Sequence, residues 1–199
     1  MAFTYFFRDM QTLEMIREHV VPVLRTRRYI HIWDAGCAMG PEPYSIAIIL
    51  RENMGPMMFR NVNIHATDID GSNLFEDIIK KGSYPEEQVK RIPKEILNRY
   101  FKPDYDGNYI ISEEIRRRLN FKKHDLLSLK PTRDDFGLIV CKNVLLHFKE
   151  QERIEVIKMF HSSLTKDGFF VTEQTQKLPR QVEHLFDQVQ SNVQLFKKK

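Results

Sequence analysis

Hydrophobic residues recur along this chain with two spacings, one typical of helices and the other typical of strands. After Asp9, which is placed to cap a helix, four apolar residues at helical spacing predict an N-terminal helix: Leu13, Ile16, Val20 and Leu24. Short β-prone runs at residues 29–35, 62–68, 137–141 and 169–172 predict buried strands. Helices are predicted between the strands, and this alternation is typical of a doubly wound α/β fold with a mostly parallel sheet.

The predicted helices between the strands have recognisable ends. Pro41 and Pro43 fit only the first turn of a helix, which we expect to stop near Gly55. A short helix follows and is closed by Gly82. Before a predicted turn at residues 166–168, a third helix is indicated by apolar residues at helical spacing: Ile154, Ile157, Phe160 and Leu164.

One stretch departs from this alternation. Residues 105–111 place Asp106 and Gly107 between β-prone residues, which is a strong signal for a hairpin. With residues 116–121 as a possible third strand, they predict a small antiparallel β insertion at about residues 82–121. We expect residues 1–199 to form a single domain that carries this insertion.

Composition narrows the class of protein. The chain has 199 residues, of which 42% are hydrophobic, and it has neither a membrane-span-length apolar run nor a signal-peptide layout. Cys37 and Cys141 are too few for a disulfide framework or a zinc site, so we expect a cytoplasmic location, no metal and no membrane insertion. The net charge is +4, and the short basic clusters are typical of solvated surfaces. No nucleic-acid partner is therefore predicted.

Glycine or polar residues follow several predicted strands, at the edge of the sheet where open α/β folds bind ligands. After the first strand, Gly36 allows a sharp turn and Gly40 lets a ligand approach the backbone. Asp68 ends the second strand, where a carboxylate can accept hydrogen bonds from both hydroxyls of a ribose. Alternatively, Asp68 or Asp70 caps the following helix. Two further polar residues follow later strands: Asp125 and Asn143. Together these strand ends predict a nucleoside site, although Asn143 by itself is more typical of a turn.

The motifs around these residues resemble those of the CheR-type chemotaxis receptor methyltransferases. That family carries T-x-F-F-R, W-x-A-G-C-x-x-G-x-E-P-Y-S, A-T-D-I and C-R-N-V-L-I-Y-F in this order. The matching stretches are T-Y-F-F-R at residues 4–8, W-D-A-G-C-A-M-G-P-E-P-Y-S at 33–45, A-T-D-I at 66–69, and C-K-N-V-L-L-H-F at 141–148. Phe121 also precedes a polar–leucine pair, as in the family. The resemblance runs from Thr4 to about Glu173. It implies the catalytic domain of a class I S-adenosylmethionine-dependent methyltransferase with a Rossmann-like fold and a three-stranded antiparallel insertion.

The resemblance also implies which residues bind S-adenosylmethionine and its product, S-adenosylhomocysteine. Those residues are Thr4 and Arg8 for the methionine part, Gly36 for the floor, Glu42 for the methionine amino group, Asp68 for the ribose, Asp125 and Leu126 for the adenine, Asn143 and Val144 for the remaining wall, and Ile69. The roles of Gly36 and Asp68 agree with those inferred from the strand ends. The roles of Thr4, Arg8 and Glu42 depend on the resemblance.

The chain departs from the family pattern at several positions. Ala2 stands where the family usually has a cofactor-binding asparagine, and Pro41 replaces a glutamate. Lys142 replaces the arginine and His147 the tyrosine of C-R-N-V-L-I-Y-F, while Gly137 stands where methyltransferases often have aspartate. The family's N-terminal helical domain, which helps to engage the receptor, has no counterpart in this sequence. These departures bear on receptor recognition more than on cofactor binding.

For function, the resemblance implies a monomeric enzyme that methylates glutamate side chains of an acidic helical partner, such as the cytoplasmic domain of a chemoreceptor. The reference pKa of glutamate is about 4.3, so the acceptor is already ionised and no general base is needed. Arg8 and His147 are candidates for positioning the substrate. The insertion is a candidate docking element with Arg116, Arg117 and Arg118 as a positive rim, or else it only covers the cofactor site and these arginines are solvated. A methyltransferase of the same fold with another substrate and a non-catalytic cofactor-binding module remain as alternatives.

Overall fold

A seven-stranded sheet forms the centre of the protein in a computed structural model, which describes residues 4–199. In chain order its strands are β1 (Ile30–Ala35), β2 (Val62–Asp68), β6 (Leu119–Lys123), β7 (Phe136–Cys141), β8 (Leu164–Thr172), β9 (Phe186–Gln188) and β10 (Leu195–Lys198). Their spatial order is β6-β2-β1-β7-β8-β10-β9. The first five run parallel, and β10 and β9 add an antiparallel edge.

Helices and a second, smaller sheet complete the structure. The helices are α1 (Met10–Met15), α2 (Val21–Leu24), α3 (Pro41–Phe59), α4 (Phe75–Lys81), α5 (Glu86–Val89), α6 (Lys94–Tyr100), α7 (Glu113–Arg116), α8 (Glu150–Ser163) and α9 (Arg180–Glu183). The small sheet consists of β3 (Ser83–Tyr84), β4 (Phe101–Pro103) and β5 (Tyr109–Ile111). Within residues 4–199, none of the helices combines the length and the hydropathy that a membrane span requires.

Each face of the large sheet has its own hydrophobic core, because neighbouring strand residues point to opposite sides. In β1, Ile32 packs in one core with Ile46 of α3, whereas Trp33 packs in the other core with Phe160 of α8. Every residue of β7 is buried, as expected for a parallel strand that is covered on both faces. The predicted doubly wound α/β fold with a mostly parallel sheet is therefore confirmed.

The predicted N-terminal helix is present but is not regular. As predicted, the Asp9 carboxylate caps it, accepting a hydrogen bond from Thr12 N at 3.1 Å. The middle turn, Ile16–Val20, is π-helical, and Pro22 follows it at the start of α2. Since Pro22 has no backbone N–H, the regular hydrogen-bond ladder cannot pass through it, and the wider turn accommodates the break.

The antiparallel insertion is confirmed, but its third strand was assigned wrongly. The hairpin pairs β4 with β5 across a tip in which Gly107 has φ 77°. The remaining strand is β3, which pairs with β5 in the order β3-β5-β4. Residues 116–121 do not join this sheet, because α7 ends at Arg116 and β6 then pairs in parallel with β2. The insertion therefore ends before β6 begins at Leu119, which is earlier than the predicted boundary at residue 121.

Of the three arginines proposed as a positive rim of the insertion, Arg117 pairs with Glu113 and the other two contact the backbone. Arg116 Nη1 donates to Lys81 O at 3.0 Å, and Arg118 Nη1 donates to Arg60 O at 2.5 Å. Lys81 is the last residue of α4, and Arg60 follows the last residue of α3. These contacts therefore tie α7 and the turn after it to the ends of α4 and α3.

Two predicted element ends also differ. Helix α3 continues to Phe59 through Gly55, whose φ of 75° and ψ of 165° break the helix and allow Pro56 to start a new turn. The predicted stop at Gly55 is therefore a kink. Leu164 begins β8 rather than ending α8, and the predicted turn at residues 166–168 lies within that strand.

His31 of β1 and His65 of β2 form a pair across these two neighbouring strands, away from the carboxyl ends of the sheet. His31 Nδ1 and His65 Nε2 are 3.3 Å apart, and Asp135 Oδ2 is 4.0 Å from His31 Nε2. Burial, together with the positive charges of His31 and Arg133, lowers the pKa of His65 from 6.5 to about 4. The folded protein therefore holds this imidazole neutral at a pH where the unfolded chain would protonate it.

We expect acidification to destabilise the fold through this pair. Because the folded pKa of His65 is below the unfolded value, stability is lost as the pH falls from about 6.5 towards 4. The loss attributable to His65 between pH 7.5 and pH 5 should be about 1 kcal/mol, discounted for partial exposure of the ring. Urea unfolding of the wild type and of His65→Gln at both pH values measures it. Equal losses in the two proteins would contradict the assignment.

Candidate functional site

One cavity of about 670 Å³ opens where the parallel strands end. Its walls come from the N-terminal segment, the turn after β1, the end of β2, and the loops after β6 and β7. The residues predicted to bind the cofactor or to position the substrate within residues 4–199 line it: Thr4, Arg8, Gly36, Glu42, Asp68, Ile69, Asp125, Leu126, Asn143, Val144 and His147. The prediction that Gly40 lets a ligand approach is wrong, because Gly40 does not line the cavity and packs against Ile79 and Tyr84 instead. Ala2 lies outside the described residues. The structure thus brings the predicted residues together, and their individual roles remain predictions.

The turn between β1 and α3 is held in a tightly defined shape. The Gly36 and Cys37 N–H groups both donate to Thr67 O, at 2.7 and 3.0 Å. Gly36 has φ 103°, and a Cβ atom there would lie 2.1 Å from Val144 Cγ2. Because any side chain at Gly36 would both strain the backbone and collide with Val144, the loops after β1 and β7 can meet only around a glycine.

The two aspartates after β2 have different tasks. Asp68 Oδ2 accepts from Ala38 N at 2.9 Å and Asp68 Oδ1 from Asp70 N at 3.1 Å, so the carboxylate faces the turn after β1. Asp70 instead accepts from Leu74 N and Phe75 N, so its carboxylate satisfies N–H groups at the start of α4, whose N-cap position is Leu74. Each Asp68 oxygen retains a lone pair for a ligand in the cavity.

The far end of the cavity, beside β6, is more apolar. Ile69 and Leu127 both line it, and they are 63% and 43% exposed, unusually high for large apolar side chains. Leu126 also lines the cavity but is buried, and Asp125 Oδ1 accepts from Leu127 N at 2.9 Å. A flat apolar ring fits between such walls, with the carboxylate of Asp125 at its edge.

At the opposite end, one ammonium group bridges two acidic residues from distant parts of the chain. Lys142 Nζ lies 2.9 Å from Asp9 Oδ2 and 3.5 Å from Glu42 Oε2, and the lysine side chain is only 8% exposed. Burial raises the pKa of Asp9, but the Lys142 ammonium outweighs it and the pKa is lowered overall. Burial also raises the pKa of Glu42, and there Lys142 offsets only part of the rise.

A further carboxyl lies under this end of the cavity. Asp34 is fully buried, and within residues 4–199 neither of its oxygens has a hydrogen-bond partner. Burial, and then the negative charge of Glu42, raise the pKa of Asp34 well above its usual range. Burial thus favours the neutral, protonated form of Asp34, and a positive charge brought close by a ligand would favour its ionised form instead.

The sequence did not identify all the residues that line the cavity. Asp9 was predicted only as a helix cap, which it also is, and Lys142 was noted only as a replacement for arginine. Tyr5 lines the cavity as well. No local spacing joins positions 9, 42 and 142, so their ion pairs could be found only from the folded structure.

Two solved structures with this fold are methyltransferases. An rRNA methyltransferase from Streptomyces viridochromogenes superposes over 100% of this chain and 86% of its own, with a TM-score of 0.60 and 12% identity. A methyltransferase from Geobacter sulfurreducens covers 96% of this chain and 79% of its own, with a TM-score of 0.51 and 14% identity. At such identities the likeness shows the fold alone. That fold, with its ligand cavity at the strand ends, is the one of the class I S-adenosylmethionine-dependent methyltransferases.

Sequence comparison then gives the family. The family model described as "CheR methyltransferase, SAM binding domain" matches residues 2–195. The chain belongs to this family, whose domain binds S-adenosylmethionine, and the resemblance seen in its motifs is confirmed.

Two relatives of this chain are chemotaxis protein methyltransferases. A chemotaxis protein methyltransferase from Borreliella burgdorferi is 34% identical over 177 residues, covering 84% of this chain and 62% of that protein. Another from Pseudomonas putida is 31% identical over 174 residues, covering 83% and 62%. The chain therefore spans about 62% of the length of these relatives.

The residues of the cavity fit S-adenosylmethionine. Its sulfonium and amino groups are cationic, and the methionine end of the cavity has Glu42 in the wall and the unpartnered Asp34 beneath. Asp68 offers acceptor oxygens for ribose hydroxyls, and Ile69 offers an apolar surface for the adenine. The cavity therefore offers acidic groups, hydrogen-bond acceptors and apolar surface, which are the partners that the cationic, hydroxyl and aromatic parts of the cofactor require.

Replacing Asp68 should weaken cofactor binding. We expect Asp68→Ala to lose roughly 1.5–3 kcal/mol of binding free energy for S-adenosylhomocysteine per charged hydrogen bond removed, measured by titration calorimetry. Circular dichroism of the variant controls for loss of fold, because Asp68 also binds the Ala38 and Asp70 N–H groups. Unchanged affinity in a folded variant would exclude a ribose contact.

Replacing Lys142 should weaken the fold itself. Lys142→Met leaves Asp9 and Glu42 without their shared ammonium, so we expect the free energy of unfolding to fall by about 2–3 kcal/mol. This is less than for a fully buried pair, because the two carboxylates keep some exposure. Lys142→Arg keeps the charge and should retain most of the stability. Urea unfolding at neutral pH measures the stability of both variants and of the wild type. A Lys142→Met variant as stable as the wild type would show that the bridge contributes little.

Proposed function

We propose that this protein transfers the methyl group of S-adenosylmethionine to glutamate side chains of a chemoreceptor-like protein. The observation that carries the proposal is one cavity to which all four sequence motifs contribute residues, with Arg8 and His147 exposed at its wall. Membership of the CheR family and the similarity to chemotaxis protein methyltransferases support it. The substrate that fits best is an acidic helical segment, such as the cytoplasmic domain of a chemoreceptor.

The chemistry requires positioning more than proton transfer. When bound, S-adenosylmethionine supplies an electrophilic methyl group on a sulfonium. A glutamate carboxylate is ionised at neutral pH, since its reference pKa is about 4.3, so no residue has to remove a proton from it. Holding the two reactants in line can contribute about 7–11 kcal/mol to lowering the barrier.

The residues at the two ends of the cavity divide this positioning. Glu42 and Asp68 orient the cofactor from its amino group and its ribose, and Asn143 and Val144 form the wall between them. Arg8 is suited to an anionic acceptor because its guanidinium can donate two parallel hydrogen bonds to one carboxylate. His147 lies in the loop after β7 and is proposed to contact the substrate rather than to act as a base.

The setting of the reaction is part of the proposal. Cys37 and Cys141 are both free thiols, which a reducing cytoplasm would preserve. We propose that the protein acts there as a monomer, on the cytoplasmic part of its receptor.

A methyl-transfer assay tests the function. With S-adenosylmethionine labelled in its methyl group and a chemoreceptor cytoplasmic fragment, we expect label in the protein fraction that base treatment releases as methanol, because the product is a carboxyl methyl ester. A fragment with its acceptor glutamates changed to glutamine is the matched control and should take up no label. Label that resists base would show that another atom is methylated. Cofactor binding with no transfer to any fragment would indicate a non-catalytic module.

A further inference from the structure

The N-terminal segment lies between the cofactor cavity and the insertion. Phe6 is buried against Tyr84 and Phe101 of the insertion, with ring centroids 5.0 and 5.2 Å away. Phe6 N donates to Gln88 O at 3.4 Å, and Phe7 N donates to Ser45 Oγ at 2.9 Å. This segment is therefore fixed on both sides, so its exposed side chains have defined positions at the cavity mouth.

Two arginine side chains contact the ring of Tyr5 in this segment. Its ring lines the cavity, with Arg91 Cζ 4.4 Å and Arg8 Cζ 5.9 Å from the ring centroid. Arg8 belongs to the cavity wall, whereas Arg91 comes from the insertion, between α5 and α6. Two guanidinium groups from different parts of the chain thus share one aromatic ring at the entrance.

The charge of Arg91 is not neutralised by a carboxylate within residues 4–199, whereas Arg99 and Lys90 of the same insertion pair with Glu52 and Glu87. Arg91 is also exposed. A guanidinium that stacks on a ring uses its face for that contact and keeps its in-plane N–H groups free to donate. Those donors match the geometry of a carboxylate from outside the protein.

We propose that Arg91 is a substrate-positioning residue, which binds an acidic side chain of the substrate next to the cavity while the acceptor carboxylate enters it. Arg91 does not line the cavity, so the group it binds is not the acceptor itself. Stacking on Tyr5 fixes its direction and places it beside Arg8. The inference depends on the proposed function for the identity of the acceptor, but the binding contact does not require turnover.

The test measures binding and turnover separately. Titration calorimetry with protein saturated with S-adenosylhomocysteine gives the affinity for two chemoreceptor cytoplasmic fragments. The first carries the natural acidic residues around the acceptor, and the second has those flanking residues changed to glutamine. We expect Arg91→Ala to weaken binding of the acidic fragment about tenfold and to leave the neutralised fragment within about twofold, as one partly exposed charge-assisted contact would.

The kinetic arm separates positioning from a structural role. In the methyl-transfer assay, Arg91→Ala should raise KM for the acidic fragment by about the same factor and leave kcat and the affinity for S-adenosylhomocysteine unchanged. Arg91→Lys, which keeps the charge but not the planar fork, should recover part of the loss. Lys102→Ala is the matched control, because Lys102 is exposed on the insertion and its removal changes the net charge equally.

Specific outcomes would overturn the inference. Equal losses for both fragments, an equal effect of Lys102→Ala, or a fall in cofactor affinity would show that Arg91 supports the fold or acts only through net charge. Failure of the wild type to bind either fragment would also overturn it. If the wild type binds the acidic fragment in an Arg91-dependent way but transfers no methyl group, the proposed function fails and this contact remains.

Discussion

The site depends on one carbonyl group, that of Thr67, which accepts hydrogen bonds from two successive N–H groups at Gly36 and Cys37. This contact ties the turn after β1 to the end of β2 and so fixes where α3 begins. Asp68, the next residue, then receives the Ala38 N–H from the same turn. The backbone of the turn is thereby held by its neighbour before any ligand arrives, which reduces the ordering that binding requires.

The insertion supports the same turn from the other side. The Tyr84 hydroxyl donates to Met39 O at 2.8 Å, and a Cβ on Gly40 would lie 2.8 Å from that hydroxyl. The small sheet is therefore in contact with the cofactor loop as well as with the N-terminal segment. A partner that contacts the insertion would touch elements that border the cofactor, which gives a short route between recognition and the reacting groups.

Much of the fold followed from local patterns in the sequence. The strand runs were continuous and β-prone, and the helix starts had proline or a capping aspartate, so both could be recognised from a few neighbouring residues. Element ends were less certain where a local signal had two outcomes. Gly55 could stop a helix or bend it, and the packing of Phe59 in the core decided for a bend. Likewise, residues 119–123 suit either sheet by composition, and only the return of the chain to β2 selects the large one.

The candidate site divides in the same way. Gly36 and Asp68 were predictable because the ends of parallel strands meet at one edge. The Asp9–Lys142–Glu42 bridge and the Arg8–Tyr5–Arg91 stack were not, because they join side chains from separate segments whose meeting depends on the whole fold. Ion pairs and cation–π contacts between residues far apart in the sequence produce no regular spacing that could be recognised beforehand.

The bridge at Lys142 has a consequence for the order in which the protein acquires its shape. Its shorter contact joins residues 133 positions apart, so this end of the cavity cannot be complete until β7 has been synthesised and packed. Closing so long a loop carries an entropy cost that local helices do not have. The methionine end of the cavity is thus among the last features to form. A ligand that fills this cavity therefore binds only chains that have folded from the N-terminal segment to β7. Its binding stabilises that folded state by mass action.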